Sequence, residues 1–355
     1  MSKLFTPIKI RELEIRNRLW VSPMCMYSCM QEDGVVGQWH LVHLGSRAVG
    51  GSGLVMAEAS AVNPEGRISL WCPGIWNQEQ VGAWKEITNF IREQGSKSAI
   101  QLAHAGRKAS MGQGNKSIGP SEGGWQTYSA TDVAFEGYAA PRMLTAQEIP
   151  GLVEDFANAA KNAVLAGFDA LEIHAAHGYL IHQFLSPISN KRQDEYGGSL
   201  ENRARFLTEI VQAIRSVIPE GMPLMIRFSA TDYVEGGWDQ AQTNQVATWC
   251  KELGVDLFDL SSGGLITGVK IPTGPGYQVD FAKSAKRATK ADVIAVGQIT
   301  DAQQAEAIVA SGEVDIAMVG RQFLRDPYFA LRAAHELGED ISWPSQYERG
   351  KWPAA

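Results

Sequence analysis

The chain has 355 residues, of which 45% are hydrophobic and 20% are charged, and its formal net charge is −7 at neutral pH. This length is enough for one large α/β barrel or for two ordinary domains. A mildly acidic chain without a long basic run is a poor candidate for a nucleic-acid-binding protein.

The amino-terminal segment and the apolar runs give no targeting or membrane signal. Residues 1–18 mix charged residues throughout, so no signal peptide is expected. No stretch approaches about 20 uninterrupted apolar residues, so no transmembrane helix or membrane partner is expected. The cysteines, Cys25, Cys29, Cys72 and Cys250, lack the paired spacing of a zinc site. These features predict a reduced, cytoplasmic protein.

Eight short apolar runs recur along the chain. They lie at residues 19–21, 54–57, 98–102, 170–174, 224–228, 257–260, 293–296 and 316–319. Each is expected to form a buried strand because Val, Ile and Leu run nearly unbroken between turn residues. Helical patterns lie between them, at 79–94, 145–166, 200–217, 239–253 and 301–310, several with a capping residue such as Ser199 or Asp301.

The alternation of strands and helices predicts a parallel sheet. Eight repeats predict that this sheet closes into a single (β/α)8 TIM barrel spanning residues 1–355, preceded by an amino-terminal hairpin. An open, doubly wound sheet is the alternative. No G-x-G-x-x-G follows the first strand, which counts against a dinucleotide-binding fold of that kind.

Two long Gly-rich segments interrupt the pattern, at 107–142 after the third strand and at 262–278 after the sixth. A loop as long as 107–142 in a compact domain is usually functional, and we expect it to cover the substrate mouth. The tail at 343–355 contains proline and aromatic residues and is not expected to form a helix.

Polar and reactive residues follow the strands at the carboxyl ends, where barrels of this kind place their active groups. Gly297 and the pair Gly320-Arg321 follow the seventh and eighth strands. Loops at these strands usually bind a phosphate, through backbone N–H groups and here also through the Arg321 guanidinium. The alternative is that the glycines only turn the chain.

Two histidines and a tyrosine follow the fourth strand. His174 and His177 are three residues apart and would share one face of a helical turn, from which neutral imidazoles donate hydrogen bonds to an oxygen that gains charge. The Tyr179 phenol is protonated at neutral pH and is suited to general acid catalysis. Two alternatives stay open: a zinc site that includes His182, and a purely structural role for the histidines.

Seven segments together resemble the old yellow enzyme family, and within it the shorter bacterial, thermophilic-like subgroup of FMN-dependent ene-reductases. They lie at 22–27, 58–62, 101–107, 172–180, 194–203, 320–321 and 346–350, and so span nearly the whole chain. The resemblance implies an enzyme with non-covalently bound FMN and with NADPH or NADH as hydride donor. Hydride would pass from flavin N5 to the β-carbon of an α,β-unsaturated carbonyl or nitro compound.

The resemblance also implies site residues. Around the isoalloxazine it places Ser22, Pro23, Met24, Cys25 and Ala59, with Gln101 at the pyrimidine edge, Arg227 near N1, and Gly297, Gly320 and Arg321 on the phosphate. His174 and His177 would hold the substrate oxygen, Tyr27 would contact the substrate, and Tyr179 would supply the proton. Cys25 would tune the flavin potential; its alternative role is that of a small buried hydrophobic residue.

In the same subgroup a carboxyl-terminal arginine reaches into the active site of a neighbouring subunit, and Arg349 matches that position. A homodimer or homotetramer with the tail at its interface is therefore expected, against the alternative of a frayed end. Two other functions stay open: a metal-dependent barrel hydrolase using His174, His177 and His182, and a barrel that only binds a phosphorylated ligand. The sequence assigns no role to Cys29, Trp71 or Cys72.

Overall fold

Eight parallel strands close into a barrel in the computed structural model, which describes residues 2–353. In chain order the strands are β1 Ile8–Ile10, β2 Leu13–Ile15, β3 Leu19–Val21, β4 Leu54–Ala61, β5 Lys97–Ala103, β6 Tyr128–Ser129, β7 Arg142–Met143, β8 Ala170–Ala175, β9 Leu224–Ser229, β10 Leu257–Ser261, β11 Asp292–Ala295 and β12 Ile316–Val319. The barrel order is β3-β4-β5-β8-β9-β10-β11-β12, and β12 pairs with β3 to close it. The predicted barrel and all eight of its strands are confirmed.

Helices surround the barrel. They are α1 Gln38–Val49, α2 Gln78–Glu93, α3 Ile149–Leu165, α4 Leu180–Leu185, α5 Leu200–Arg215, α6 Gln240–Glu252, α7 Val279–Thr289, α8 Ala302–Ala310, α9 Arg321–Arg325 and α10 Phe329–Glu336. The side chains of Ser199 and Asp301 cap α5 and α8 as predicted. Helix α3 begins later than predicted, because Glu148 accepts hydrogen bonds from the backbone N–H and the hydroxyl of Thr145 and closes a separate turn.

The amino-terminal end of the barrel is filled and covered. The predicted hairpin of β1 and β2 is present, and its residues Ile8, Ile10 and Ile15 pack on a buried cluster that includes Trp20 and Met225. Close packing of this kind leaves no passage through the barrel. The described residues therefore close this end of the barrel, and the carboxyl ends of the strands are the side on which a ligand site is expected.

The segment at 107–142 contains short 3₁₀ turns and most of the two-stranded β6–β7 pair, and none of its residues is in an α-helix. In the tail, however, Ser345–Gly350 forms a 3₁₀-helix, so the expectation of no helix was wrong there. Pro344 precedes it, and the fixed φ of proline suits the residue before a helical turn. Residues 354–355 of the predicted tail lie outside the described residues.

Within residues 2–353, no helix combines the length and the apolar composition that crossing a membrane requires.

Candidate active site

A cavity of about 470 Å³ opens at the carboxyl ends of β3, β9, β11 and β12. We call it the cationic cavity because Arg227, Arg321 and Arg325 line it, while none of its described lining residues is acidic. Of the predicted cofactor residues it is lined by Ser22, Pro23, Met24, Arg227, Gly297, Gly320 and Arg321. Its volume is in the range of small-molecule and cofactor sites, and its charge suits an anionic ligand.

Two of the predicted phosphate-site glycines line this cavity. Gly297 has a φ of 111°, and a Cβ built there would lie 2.8 Å from Oε1 of Gln278. Gly320 begins the segment that carries Arg321. Backbone N–H groups beside an arginine suit a phosphate group. Both glycines are therefore placed where such a group could bind.

A second cavity of about 580 Å³ lies beside the first. We call it the aromatic cavity; Tyr27, Trp71, Tyr138 and Tyr179 line it, together with Ile68, Ser69, Lys108, Met111, Gly112, Gln113 and Gly114. Several of these belong to the insertion at 107–142, which forms one wall of the cavity. Trp71, to which the sequence assigned no role, precedes the insertion in the chain and lines the same cavity.

His174, His177 and Tyr179 lie between the two cavities. The ring of His174 meets the His177 ring edge-on at a centroid distance of 5.1 Å, and the Tyr179 ring at 4.9 Å. The expectation of a shared helical turn was wrong: His174 belongs to β8, His177 has a φ of 57°, and α4 begins only at Leu180. The turn that follows the strand brings the three rings together instead.

Burial keeps all three groups uncharged. It lowers the pKa of His174 well below its ordinary value, with Arg227 adding to the effect, and it acts likewise on His177. Nδ1 of His174 accepts a hydrogen bond from the backbone N–H of Ala176 at 3.2 Å, so Nε2 carries the proton of the neutral ring. Burial also raises the pKa of Tyr179 well above its usual range. The cluster can therefore donate hydrogen bonds and a proton.

His182 does not join this cluster. Its Nδ1 accepts a hydrogen bond from the backbone N–H of Gly178, and its Nε2 lies 3.0 Å from Oδ1 of the buried Asp232. Among the described residues no group of three or more His, Cys, Asp or Glu side chains is placed to hold a metal ion. The structure thus gives no support to the zinc-site alternative.

Lys108 is a functional candidate that the sequence analysis missed. Its Nζ donates hydrogen bonds to the backbone oxygens of His177 (2.9 Å) and Gly264 (3.0 Å). It also lies 4.5 Å from the ring centre of Phe135 and 5.2 Å from that of Tyr179. Burial lowers its pKa to about 8, with Arg107 adding to the effect. Its partners are backbone atoms of loops distant in sequence, so no motif reveals the contact.

Cys25 packs against a small buried cluster that includes Ala59 and Cys72, beside Tyr179. Burial raises the pKa of its thiol well above the ordinary value, and Glu58 acts in the same direction, so Cys25 is a neutral thiol. Glu58 lies at a register shift of β4 and accepts a hydrogen bond from the backbone N–H of Met26 at 2.9 Å. Cys72 thus belongs to the same region, which the sequence did not indicate.

The remaining predicted residues divide into two groups. Gln101 is buried on β5, where Ala59 is its register partner and where its amide N–H donates to Glu172 at 2.7 Å. Arg349, in contrast, is exposed on the 3₁₀-helix of the tail and is absent from the described lining of both cavities. Within its own subunit, Arg349 therefore lies away from both cavities.

Comparison with known proteins gives a family for the whole barrel. The sequence profile of the NADH:flavin oxidoreductase / NADH oxidase family, whose members are FMN oxidoreductases, matches residues 3–340. The NADPH dehydrogenase of Bacillus subtilis (strain 168) is 48% identical over 349 residues, which cover 98% of this chain and 99% of that protein.

Solved structures agree with this match. The old yellow enzyme homologue from Zymomonas mobilis is similar with a TM-score of 0.79 and 26% identity, over 99% of both chains. A complex of 2-naphthoyl-CoA reductase with 2-naphthoyl-CoA is similar with a TM-score of 0.86 and 29% identity. That similarity covers 95% of this chain and 52% of the reductase, so this chain spans about half of its length.

The close approach of Gly178 to Gly264 gives a test of the site's architecture. Gly178 has a φ of 73°, and a Cβ there would lie 2.3 Å from the backbone oxygen of Gly264. Gly198 has a similar φ of 81°, but a Cβ there meets open space in the described structure. In urea unfolding, Gly198→Ala should lower the free energy of unfolding by only about 1–2 kcal/mol, because it adds backbone strain alone. Gly178→Ala should lower it by about 1–3 kcal/mol more, because the added Cβ forces the two loops apart. Equal losses would contradict the contact.

Proposed function

The chain belongs to the NADH:flavin oxidoreductase / NADH oxidase family, in its old yellow enzyme type, and from this premise we propose that it reduces the C=C bond of α,β-unsaturated carbonyl or nitro compounds. It is an FMN-dependent oxidoreductase, and FMN when bound accepts hydride from a nicotinamide and delivers hydride to a second substrate. The name of the Bacillus relative supports NADPH as donor. The observation that carries the proposal is the uncharged His174–His177–Tyr179 cluster between a cationic and an aromatic cavity.

The cationic cavity fits FMN by charge and by size. Arg321 with the backbone at Gly297 and Gly320 would hold the phosphate. Ser22, Pro23, Met24, Cys25 and Ala59 would line the ring system, with Gln101 and Arg227 contacting its polar edge. Arg227 is fixed for this purpose, because it is paired with Asp259 at 2.9 Å and donates to the Ser22 hydroxyl at 3.2 Å.

His174 and His177 would bind the oxygen of the carbonyl or nitro group. Neutral imidazole N–H groups donate to an oxygen that gains negative charge, and the bonds strengthen as the charge develops. His177 is held by hydrogen bonds from its backbone N–H to Ser229 (2.9 Å) and between its ring and Ser261 (2.7 Å). This fixed placement orients the substrate over the aromatic cavity, where Tyr27 would contact it.

Tyr179 would act as the general acid. Its phenol keeps its proton at neutral pH because it is buried. It would transfer that proton from its oxygen to the substrate's α-carbon. The metal-dependent hydrolase is not supported, because His182 faces Asp232 and because the family is one of oxidoreductases.

Arg349 would complete the site of a neighbouring subunit in a homodimer or homotetramer. It is exposed on the tail, outside the cavities of its own subunit. Two ring contacts pack the described part of the tail against its own subunit, Tyr347 against Tyr328 and Trp352 against His335. These contacts give the tail a defined surface to present to a second subunit.

The proposed function predicts a yellow protein. Purified protein should show the visible spectrum of FMN, NADPH should bleach it in the absence of oxygen, and an added enone should restore the colour. The measurement is anaerobic stopped-flow absorbance. A protein that neither carries FMN nor takes it up would refute the proposal, as would a bleached protein that no enone or nitroalkene re-oxidises.

Tyr179→Phe should slow re-oxidation by an enone by about 10²-fold or more, because the proton donor is removed. Bleaching by NADPH should stay unchanged, since that step needs no proton from Tyr179. Tyr138→Phe is a matched control, because it removes a phenol from the same cavity. Equal rates in Tyr179→Phe and the parent protein, measured for each half-reaction separately, would exclude Tyr179 as the acid.

Mixed oligomers test the role of Arg349. Arg349→Ala and Tyr179→Phe should each lower enone reduction, whereas Lys351→Ala on the same exposed tail should not. When the two defective proteins are unfolded and refolded together, a mixed dimer regains one site in which both residues are intact. Recovery of activity in the mixture is the expected result, and no recovery despite formation of mixed dimers would place Arg349 outside the neighbour's site.

A further inference from the structure

Four buried polar side chains form a layer inside the barrel, below the cationic cavity. Gln101, Glu172, Arg227 and Asp259 lie on the four consecutive strands β5, β8, β9 and β10. Gln101 and Glu172 are direct register partners, and so are Arg227 and Asp259. All four are nearly inaccessible, with exposures of 2%, 0%, 6% and 0%. We call them the polar layer.

Two contacts organise the polar layer. Nε2 of Gln101 donates to Oε1 of Glu172 at 2.7 Å, and Nε of Arg227 lies 2.9 Å from Oδ2 of Asp259. Oε2 of Glu172 and Oδ1 of Asp259 are both buried and have no hydrogen-bond partner among the described residues. Asp259 faces the Arg227 guanidinium, which compensates its charge, whereas Glu172 faces the neutral Gln101 amide. An ionised Glu172 is therefore the costlier of the two, and the contacts favour its protonated form.

A gain in folding stability does not by itself account for the polar layer. A buried ion pair is often no more stabilising than apolar side chains of similar volume. The barrel interior nearby is apolar, with Ala99, Met225 and Leu257 in one buried cluster. The layer instead lies where two of its members, Gln101 and Arg227, are proposed to meet the flavin. Its other two members, Glu172 and Asp259, contact these partners and would act on the cofactor through them.

The protonation states set the charge of the layer. Burial raises the pKa of Glu172 to about 8, and the nearby Asp259 acts in the same direction. Arg227 and the hydrogen bond from Gln101 act in the opposite direction. Burial also raises the pKa of Asp259, which Arg227 opposes. His174, two residues along the same strand, is uncharged. At neutral pH Glu172 is therefore mostly protonated while Asp259 balances Arg227, and the layer is close to neutral.

We propose that Glu172 and Asp259 are positioning residues that set the reduction potential of the bound flavin, Glu172 by orienting Gln101 and, when ionised, by its charge, and Asp259 by balancing the charge of Arg227. The inference rests on the proposed function for the place of the cofactor. The hydrogen bond to Glu172 takes one N–H of the Gln101 amide and leaves its carbonyl oxygen and second N–H for the cofactor's polar edge. A negative charge in the layer opposes charge gained by the cofactor on reduction.

Three variants separate orientation from charge. Glu172→Gln keeps an acceptor for Gln101 but cannot ionise; Glu172→Leu removes the acceptor; Asp259→Asn removes the charge that balances Arg227. Glu209→Gln is the control, because Glu209 is a partly buried carboxyl on α5, outside the barrel. The midpoint potential of FMN in each holoenzyme is measured by spectroelectrochemistry from neutral to alkaline pH, together with FMN affinity.

The parent potential should fall more steeply where Glu172 ionises, above neutrality, because the ionised carboxylate disfavours reduction. Glu172→Gln should lose this additional slope and keep its FMN affinity, and Asp259→Asn should shift to a more positive potential. Glu172→Leu should bind FMN about tenfold more weakly through loss of one hydrogen-bond partner. Glu209→Gln should match the parent.

Identical potential–pH curves for Glu172→Gln and the parent would overturn the proposal. That result would not contradict the proposed function, which enone reduction by the holoenzyme tests separately. Failure of the parent to bind FMN would overturn the proposed function instead. A second measurement needs no variant. Infrared difference spectra of the parent holoenzyme should show the C=O band of a protonated carboxylic acid at neutral pH that disappears at alkaline pH. Absence of that band at neutral pH would also overturn the proposal.

Discussion

The pairing of β12 with β3 decides where every functional side chain lies. It joins the last strand of the barrel to the first, so the carboxyl ends of eight strands form one ring. Residues as far apart in sequence as Ser22 and Arg321 then line one cavity. The hairpin of β1 and β2 fills the opposite end. Because one end is closed, all polar groups that face a ligand must gather at the other.

Burial then sets the chemistry of that ring. The same desolvation that lowers the pKa of His174 and His177 raises the pKa of Tyr179 and of Cys25. These groups are therefore uncharged donors. The basic side chains nearby are Arg227, Arg321 and Arg325 at the cationic cavity and Lys108 at the aromatic cavity. Under the proposed function, the neutral donors would polarise the substrate and the arginines would hold the anionic cofactor.

Much of this could be predicted from the sequence, because it depends on local pattern. Unbroken apolar runs gave the strands, and the rule that active groups follow strand ends indicated Gly297, Gly320 and Arg321. The family resemblance added Ser22 and Arg227. Lys108 and Asp259 were missed, since their partners lie on distant loops and strands that only the closed barrel brings near. The grouping of His182 with the other histidines failed because spacing along the chain does not show that its ring turns to Asp232. Helices α1, α4, α7, α9 and α10 were not predicted. Helices α4 and α9 have too few residues to define a pattern, and α7 follows the Gly-rich segment at 262–278, whereas nothing in the pattern marked α1 or α10.

The Lys108 contact links a wall of the aromatic cavity to the geometry of the histidines. Phe135, from the insertion, lies over the ammonium that holds the backbone of His177, and so does the ring of Tyr179. Each such cation–π contact is worth about 0.5–1 kcal/mol. Lys108 also lines the aromatic cavity, so the side chain that fixes the turn after β8 is itself part of the surface that a bound molecule would touch.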